Sequence, residues 1–177
     1  MSRIGKKPIK LNGSKITVKD NHVEISGSLG TLTIKTIEGI SLDISDDTIL
    51  VNRSDDSKRQ RALHGLFRSL LFNAVTGVTV GYAYDLVLQG IGYRVQKVGS
   101  NLQFTLGYSH PILFPAPDGV AFEVEGQDKL TIKSHDKQLL GEVRSKIFNL
   151  RKRDPYKGKG IYGKEETIRK KQGKSVK

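Results

Sequence analysis

Gly65-Leu66-Phe67-Arg68-Ser69-Leu70-Leu71-Phe72-Asn73 and Gly141-Glu142-Val143-Arg144-Ser145-Lys146-Ile147-Phe148-Asn149 agree at the Gly, Arg, Ser, Phe and Asn positions. A run that recurs at a steady offset marks an internal repeat. The likeness continues upstream. Gly39-Ile40-Ser41-Leu42-Asp43-Ile44 parallels Gly119-Val120-Ala121-Phe122-Glu123-Val124, and Ile49-Leu50-Val51 parallels Leu130-Thr131-Ile132, with Asp55 and Asp136 following. The offset stays between 76 and 81 residues, and the elements keep the same order. The chain therefore reads as a duplicated domain, residues 1–82 and 83–177, with the boundary near Tyr82.

Each half repeats one pattern, strands followed by a single helix. In the first, period-two alternation predicts strands at 15–19, 22–26, 31–35, 40–44 and 49–52. Leu63, Leu66, Phe67, Leu70, Leu71 and Ala74 then recur at three- and four-residue spacing, which predicts a helix with one apolar face. Ser57 and Gln60 form a capping-box pair at its start, and Gly77 is placed to end it. In the second half the strands fall at 85–88, 93–98, 102–106, 120–124 and 130–133. A helix over 136–150 turns Leu139, Leu140, Val143, Ile147 and Leu150 inward, and Pro155 stops it going much further. Phe72 and Phe148 read as core residues, with the neighbouring Arg and Ser tying helix to sheet. The expected fold is α+β: two tandem duplicated domains, each a small mainly antiparallel sheet with one packed helix, plus a basic C-terminal extension. About 80 residues per domain is small but sufficient for a core.

Charge is distributed unevenly. The 177 residues carry a formal +12, with 30 Lys and Arg against 18 Asp and Glu. Residues 1–10 hold Arg3, Lys6, Lys7 and Lys10 and no acid. Residues 144–177 hold thirteen basic residues against Asp154, Glu165 and Glu166, while 11–143 are nearly balanced. Basic ends on a neutral body point to a localised polyanion contact. Glycines and aromatics interleave with the charge in Tyr156-Lys157-Gly158-Lys159-Gly160-Ile161-Tyr162-Gly163-Lys164. Lysine supplies charge, glycine lets backbone amides approach phosphate, and tyrosine stacks on a base or packs on a ribose. The flanking Arg151, Lys152, Arg153, Arg169, Lys170 and Lys171 belong to the same expected RNA-binding set, as do Arg3, Lys6 and Lys7 in the N-terminal arm.

Other chemistries fail on their own residues. The chain has no cysteine, which removes disulfides, zinc ribbons and thiol nucleophiles. Gly158-x-x-x-x-Gly163-Lys164 opens like a phosphate-binding loop, but Glu165 stands where the Mg²⁺-binding hydroxyl belongs. Gly90-Ile91-Gly92-Tyr93-Arg94-Val95 begins like a dinucleotide fingerprint, with Val95 in the third glycine's place. His22, His64, His110 and His135 lack metal-ligand spacing, and no serine sits in a nucleophile elbow. The expectation is a protein that is not an enzyme and uses no cofactor, metal or small-molecule substrate. No run is apolar enough to span a membrane, so a cytoplasmic protein without membrane partners is expected.

Five stretches carry a family resemblance. They are Ser2-Arg3-Ile4-Gly5-Lys6-Lys7-Pro8-Ile9, Arg61-Ala62-Leu63-His64-Gly65-Leu66, Leu88-Gln89-Gly90-Ile91-Gly92-Tyr93-Arg94, Leu106-Gly107-Tyr108-Ser109-His110-Pro111, and Asp154-Pro155-Tyr156-Lys157-Gly158-Lys159-Gly160-Ile161. Together, over essentially the whole chain, they resemble the bacterial large-subunit ribosomal protein six (L-six) family. The resemblance implies a duplicated α+β fold and a structural constituent of the large ribosomal subunit. It implies binding to large-subunit (23S) ribosomal RNA near the factor-binding (GTPase) region and the sarcin–ricin loop, beside neighbouring large-subunit proteins and without homo-oligomerisation. By that resemblance RNA contact is carried onto Tyr156, Lys157, Gly158, Lys159 and Gly160, and further onto Ser109, His110, Tyr93 and Arg94. The chain departs from the family where Gly27-Ser28-Leu29-Gly30 lacks a Pro-Lys pair. It departs again where Arg151-Lys152-Arg153-Asp154-Pro155 replaces Pro-Pro-Glu-Pro, and where Ile161-Tyr162-Gly163 replaces Ile-Arg-Tyr.

A segment this basic is expected to be mobile when free and ordered on RNA, with Tyr156 and Tyr162 stacking or touching ribose. On that reading residues 151–177 are dispensable for folding. Six to eight engaged cations would give a log–log salt slope of roughly −5 to −7. A free RNA chaperone is the competing class, and it would need an exposed aromatic sheet face that the strands do not supply.

Overall fold

The structure, a computed structural model, describes residues 4–45, 47–167 and 169–173. The chain separates into two compact units, one of residues 1–81 with 135–137, the other of residues 82–134 with 138–177. Among the described residues no helix is long and apolar enough to cross a membrane.

The first unit contains β1 (Ile9–Lys10), β2 (Lys15–Lys19), β3 (His22–Gly27), β4 (Gly30–Lys35), β5 (Ile40–Ile44), β6 (Thr48–Arg53) and α1 (Lys58–Thr79). Two antiparallel sheets, ordered β1-β6-β5 and β2-β3-β4, share a core with the helix. Ile9, Val23, Ile25, Ile49, Val51, Phe67, Leu71 and Val78 fill it. The second unit contains β7 (Tyr82–Gln89), β8 (Arg94–Val98), β9 (Asn101–Thr105), β10 (Ile112–Phe114), β11 (Val120–Glu125), β12 (Lys129–Ser134), α2 (Lys137–Leu150) and β13 (Gly160–Gly163). Its sheets are ordered β11-β12-β7-β13 and β10-β9-β8. Strands β11, β12 and β7 repeat the arrangement of β5, β6 and β1, and β8–β10 repeat β2–β4. The tandem α+β duplication is therefore direct.

The helix ends are satisfied locally. The Ser57 hydroxyl accepts the Gln60 amide at 3.2 Å, half of the expected capping box. The other half differs: Asp55 takes the Ser57 amide at 2.7 Å, and the Gln60 side chain reaches the Glu38 carbonyl. Gly77 does not end α1, which runs on to Thr79 with the Gly81 amide bonding to the Thr76 carbonyl. The β3–β4 turn covers that end. Leu29 N donates to the Val78 carbonyl at 3.0 Å, and the Ser28 hydroxyl lies within bonding distance of the Val78 and Thr79 carbonyls. Helix-terminal carbonyls need such partners, so this turn is structural.

Two parts of the helix reading are corrected. Leu66 and Leu70 are 51% and 38% exposed, because they sit roughly 90–130° around the helix from its buried centre, given 100° per residue. Phe72 is 46% exposed and not a core residue, although Phe148 at the matching position does pack on the second core. What the repeat preserves is a stacked pair one turn apart, with the Arg68 and Arg144 guanidinium groups each 5.0 Å from the centroid of the following Phe.

The largest difference from the sequence reading lies in the basic extension. Residues 160–163 form β13, paired antiparallel with β7 in the register Ile161↔Leu88 and Gly163↔Leu86. Ile161 is 1% exposed and belongs to the core of Leu86, Leu88, Leu130 and Ile132. The segment is thus an edge strand of the second unit, and removal of residues 151–177 would strip both a core side chain and the partner of β7. Gly160 makes the approach possible: its φ is +141°, and a Cβ there would lie 2.5 Å from the Arg153 Cα.

All six tyrosines (82, 84, 93, 108, 156 and 162) lie beyond residue 81, so tyrosine fluorescence reports on the second unit alone. Ile161→Ala is expected to destabilise that unit by about 2–4 kcal/mol, and Gly160→Ala by about 1–3 kcal/mol. Urea unfolding followed by tyrosine emission checks both values.

Candidate nucleic-acid interface

After α2 the chain turns through Arg151, Lys152 and Arg153 and closes a six-residue loop before entering β13. Asp154 organises that loop. Its Oδ1 accepts the Tyr156 amide at 3.0 Å and its Oδ2 the Lys157 amide at 3.2 Å. Its carbonyl accepts the Gly158 amide at 2.9 Å, and its own amide donates to the Lys159 carbonyl at 2.7 Å. An aspartate bonding the amides two and three residues ahead is an Asx-type turn. The Tyr156 amide, then the Lys157 amide and the charges of Lys157 and Lys159, hold the Asp154 carboxyl below its ordinary pKa. Gly158 takes φ +70°, which the turn requires, and the Lys170 side chain lies over it. The Lys171 amide returns to the Pro155 carbonyl at 2.9 Å.

Beside the loop lies an open cleft of about 640 Å³, lined by Tyr93, Tyr108, Asn149, Arg151, Lys152, Asp154, Lys157 and Lys159. Arg151 is held on two sides: its Nε donates to the Tyr93 hydroxyl at 3.1 Å, and its guanidinium stacks 4.8 Å from the Tyr108 ring centroid. Hydrogen bonding to Tyr108 and Tyr93 raises its pKa further, so it stays charged. The Tyr108 hydroxyl donates to the Leu150 carbonyl at 3.0 Å, anchoring the end of α2.

Some basic residues of the segment are paired internally, four border the cleft, and Lys146, Arg169, Lys170 and Lys171 lie outside it. Glu166 pairs with both Arg144 (2.9 Å) and Arg153 (2.8 Å), and Arg144 also stacks 4.0 Å from the Tyr84 ring centroid. Lys164 lies 3.7 Å from Asp85. By contrast Arg151, Lys152, Lys157 and Lys159 make no ion pair among the described residues, and these four border the cleft. Their charge is available to an outside anion.

Other expected positions fall elsewhere. Tyr156 is exposed on the loop, and Gly158 and Gly160 are buried, where they shape the chain. Tyr162 lies in β13 and bonds Gln89 through its hydroxyl, and burial, with Asp128 nearby, raises its phenol above the usual value. Arg94 opens β8 as an exposed side chain. Ser109 and His110 are exposed in the β9–β10 turn, with Ser109 Oγ 3.3 Å from His110 Nδ1. Arg169, Lys170 and Lys171 are exposed after β13. Lys6 and Lys7 belong to the first unit, where the Lys7 carbonyl accepts Arg68 Nε at 3.2 Å, and Arg3 lies outside the described residues. Sequence reasoning left out Tyr108, Asn149 and Asp154 as site residues. The stretches containing Tyr108 and Asp154 were in view, but only the fold shows that the β9–β10 turn meets the end of α2. Among the described residues no three His, Asp or Glu side chains are placed to hold a metal ion.

Among the described residues, a basic strand-forming segment completes the second copy and not the first, which defines a duplicated α+β scaffold with a cationic face on its second copy. The chain belongs to the ribosomal protein L6 family, whose profile matches residues 12–81 and again residues 89–164, one match in each unit. It is accordingly a structural protein of the large ribosomal subunit.

The loop is expected to respond to acid through Asp154. A carboxyl whose folded pKa is lowered contributes order that is present above the unfolded value, about 3.9, and is lost as pH falls through the folded value. In a ¹H–¹⁵N NMR titration the Tyr156 and Lys157 amide shifts should therefore hold constant down to about pH 4 and move below it. They should not titrate there in Asp154→Asn.

Proposed function

We propose that the second unit binds large-subunit ribosomal RNA through the Asp154 loop and the adjoining cleft, near the factor-binding region of the subunit. The observation that carries this reading is the set of four cations without ion pairs, bordering one cleft together with Tyr93 and Tyr108. Neutralising phosphates releases counterions, and Tyr and Arg planes give bases and riboses a surface to rest on. Gly158 and Gly160 serve by shaping the loop that presents Lys157 and Lys159. Neighbouring ribosomal proteins complete the surroundings, and the chain acts as an architectural component without chemistry of its own.

The internal pairing of Arg144, Arg153 and Lys164 revises the electrostatics. If Arg151, Lys152, Lys157 and Lys159 each meet one phosphate, the log–log salt slope is about −3 to −4. Lys157→Ala and Lys159→Ala should each weaken binding to a 23S fragment from the factor-binding region and flatten the slope by about 0.7–0.9. Lys164→Ala should have a smaller effect, because Asp85 already shares its charge. Filter binding across a salt series reads all three. Sedimentation of the tagged chain through a high-salt sucrose gradient tests the whole reading. Migration with the large subunit supports it, and recovery at the top of the gradient refutes it.

A further inference from the structure

We propose that the cleft receives a single unstacked nucleotide, so that the RNA it selects carries an extruded or looped-out base and is not an uninterrupted helix. The inference rests on the reading of the second unit as the ribosomal RNA interface and names the RNA feature recognised there. Three observations lead to it. The first is size: at about 640 Å³ the open cleft has room for one small organic ligand, although size alone does not single it out. A continuous A-form helix needs only a cationic surface against its backbone.

The second observation is the lining. The Tyr108 ring and the Arg151 guanidinium form a stacked pair, and aromatic and guanidinium planes are the surfaces on which unpaired bases settle. The exposed Asn149 amide borders the same space, offering a donor and an acceptor to a base edge, and Lys157 and Lys159 border it with charge for the flanking phosphates. The stack is fixed in advance. Tyr93, which bonds Arg151 Nε, is clasped by two glycines: a Cβ at Gly90 would lie 2.8 Å from its ring, and one at Gly107 would lie 3.3 Å away.

The third observation is the internal control that the duplication supplies. Asn73 matches Asn149 in the first copy, but the position matching Arg151 is Val75, buried inside α1, and that copy contains no tyrosine. The aromatic and guanidinium lining therefore belongs to the second copy alone and is not a by-product of the shared fold.

The test uses the full-length protein and two RNA hairpins equal in length and charge. In one the stem is fully paired, and in the other a single 2-aminopurine is bulged from it. The bulged hairpin is expected to bind about tenfold more tightly, with quenching of 2-aminopurine emission as the base stacks. Tyr108→Ala should lower affinity for the bulged hairpin to the level of the paired one. Tyr108→Phe, which keeps the ring and loses the bond to the Leu150 carbonyl, should retain the preference. Equal affinity of the unmodified protein for both hairpins, or a preference that survives in a folded Tyr108→Ala, would overturn the proposal. If Lys157→Ala and Lys159→Ala left both affinities unchanged, the ribosomal RNA reading would itself fail.

Discussion

The pairing of β13 with β7 is the constraint on which the rest of the second unit depends. β7 lies between β12 and β13, and Ile161 closes the core against Leu86 and Leu88. Once β13 is fixed, the chain between it and α2 must turn within nine residues, and Asp154 makes that turn by bonding the amides of Tyr156 and Lys157. The loop geometry then determines which lysines project. In the first unit β1, the counterpart of β7, has two residues and, among the described residues, no strand beyond it in its sheet. One ancestral unit has thus acquired different edges in its two copies, and only one of those edges carries the cationic loop.

Charge within the segment is organised by the same packing. Net charge alone treats Arg144, Arg151, Arg153, Lys157, Lys159 and Lys164 as equivalent. In the fold Glu166 bridges Arg144 and Arg153, and Asp85 on β7 lies beside Lys164. Partly exposed pairs of this kind add little stability individually, but they decide which charges remain unbalanced. Four of those left over, Arg151, Lys152, Lys157 and Lys159, border the tyrosine-lined cleft, where an anion would meet several cations together and a fixed guanidinium plane. A salt response weaker than the thirteen basic residues would suggest follows from this division.

Much of the architecture was legible in the sequence because it rests on periodicity. The duplicated Gly-x-x-Arg-Ser-x-x-Phe-Asn run, the alternation in strands such as β3 and β12, and the spacing of Leu140, Val143 and Ile147 each map onto observed elements. Short elements escaped. β1 has two residues, β10 three and β13 four, too few for alternation to show, and the glycines and lysines around Ile161 read as solvated chain. Phe72 failed for another reason. Its repeat partner Phe148 lies against the second core, and the first unit leaves the matching position partly uncovered. In the site, charge and tyrosine content pointed to the right segment, but the meeting of Tyr93, Tyr108 and Arg151 depends on residues up to 58 positions apart and needed the fold.

Whether β13 is formed in the free protein is therefore the most direct question to put to the molecule. Amide hydrogen exchange on the free protein answers it, because the Lys164 amide bonds the Asp85 carbonyl on β7, and the Ile161 amide bonds the Arg151 carbonyl at the start of the segment. The account predicts that these two amides exchange as slowly as those in the centre of β7. Exchange at the rate of an unstructured chain, with β7 and β12 still protected, would contradict it and return the segment to a tail that RNA alone puts in order.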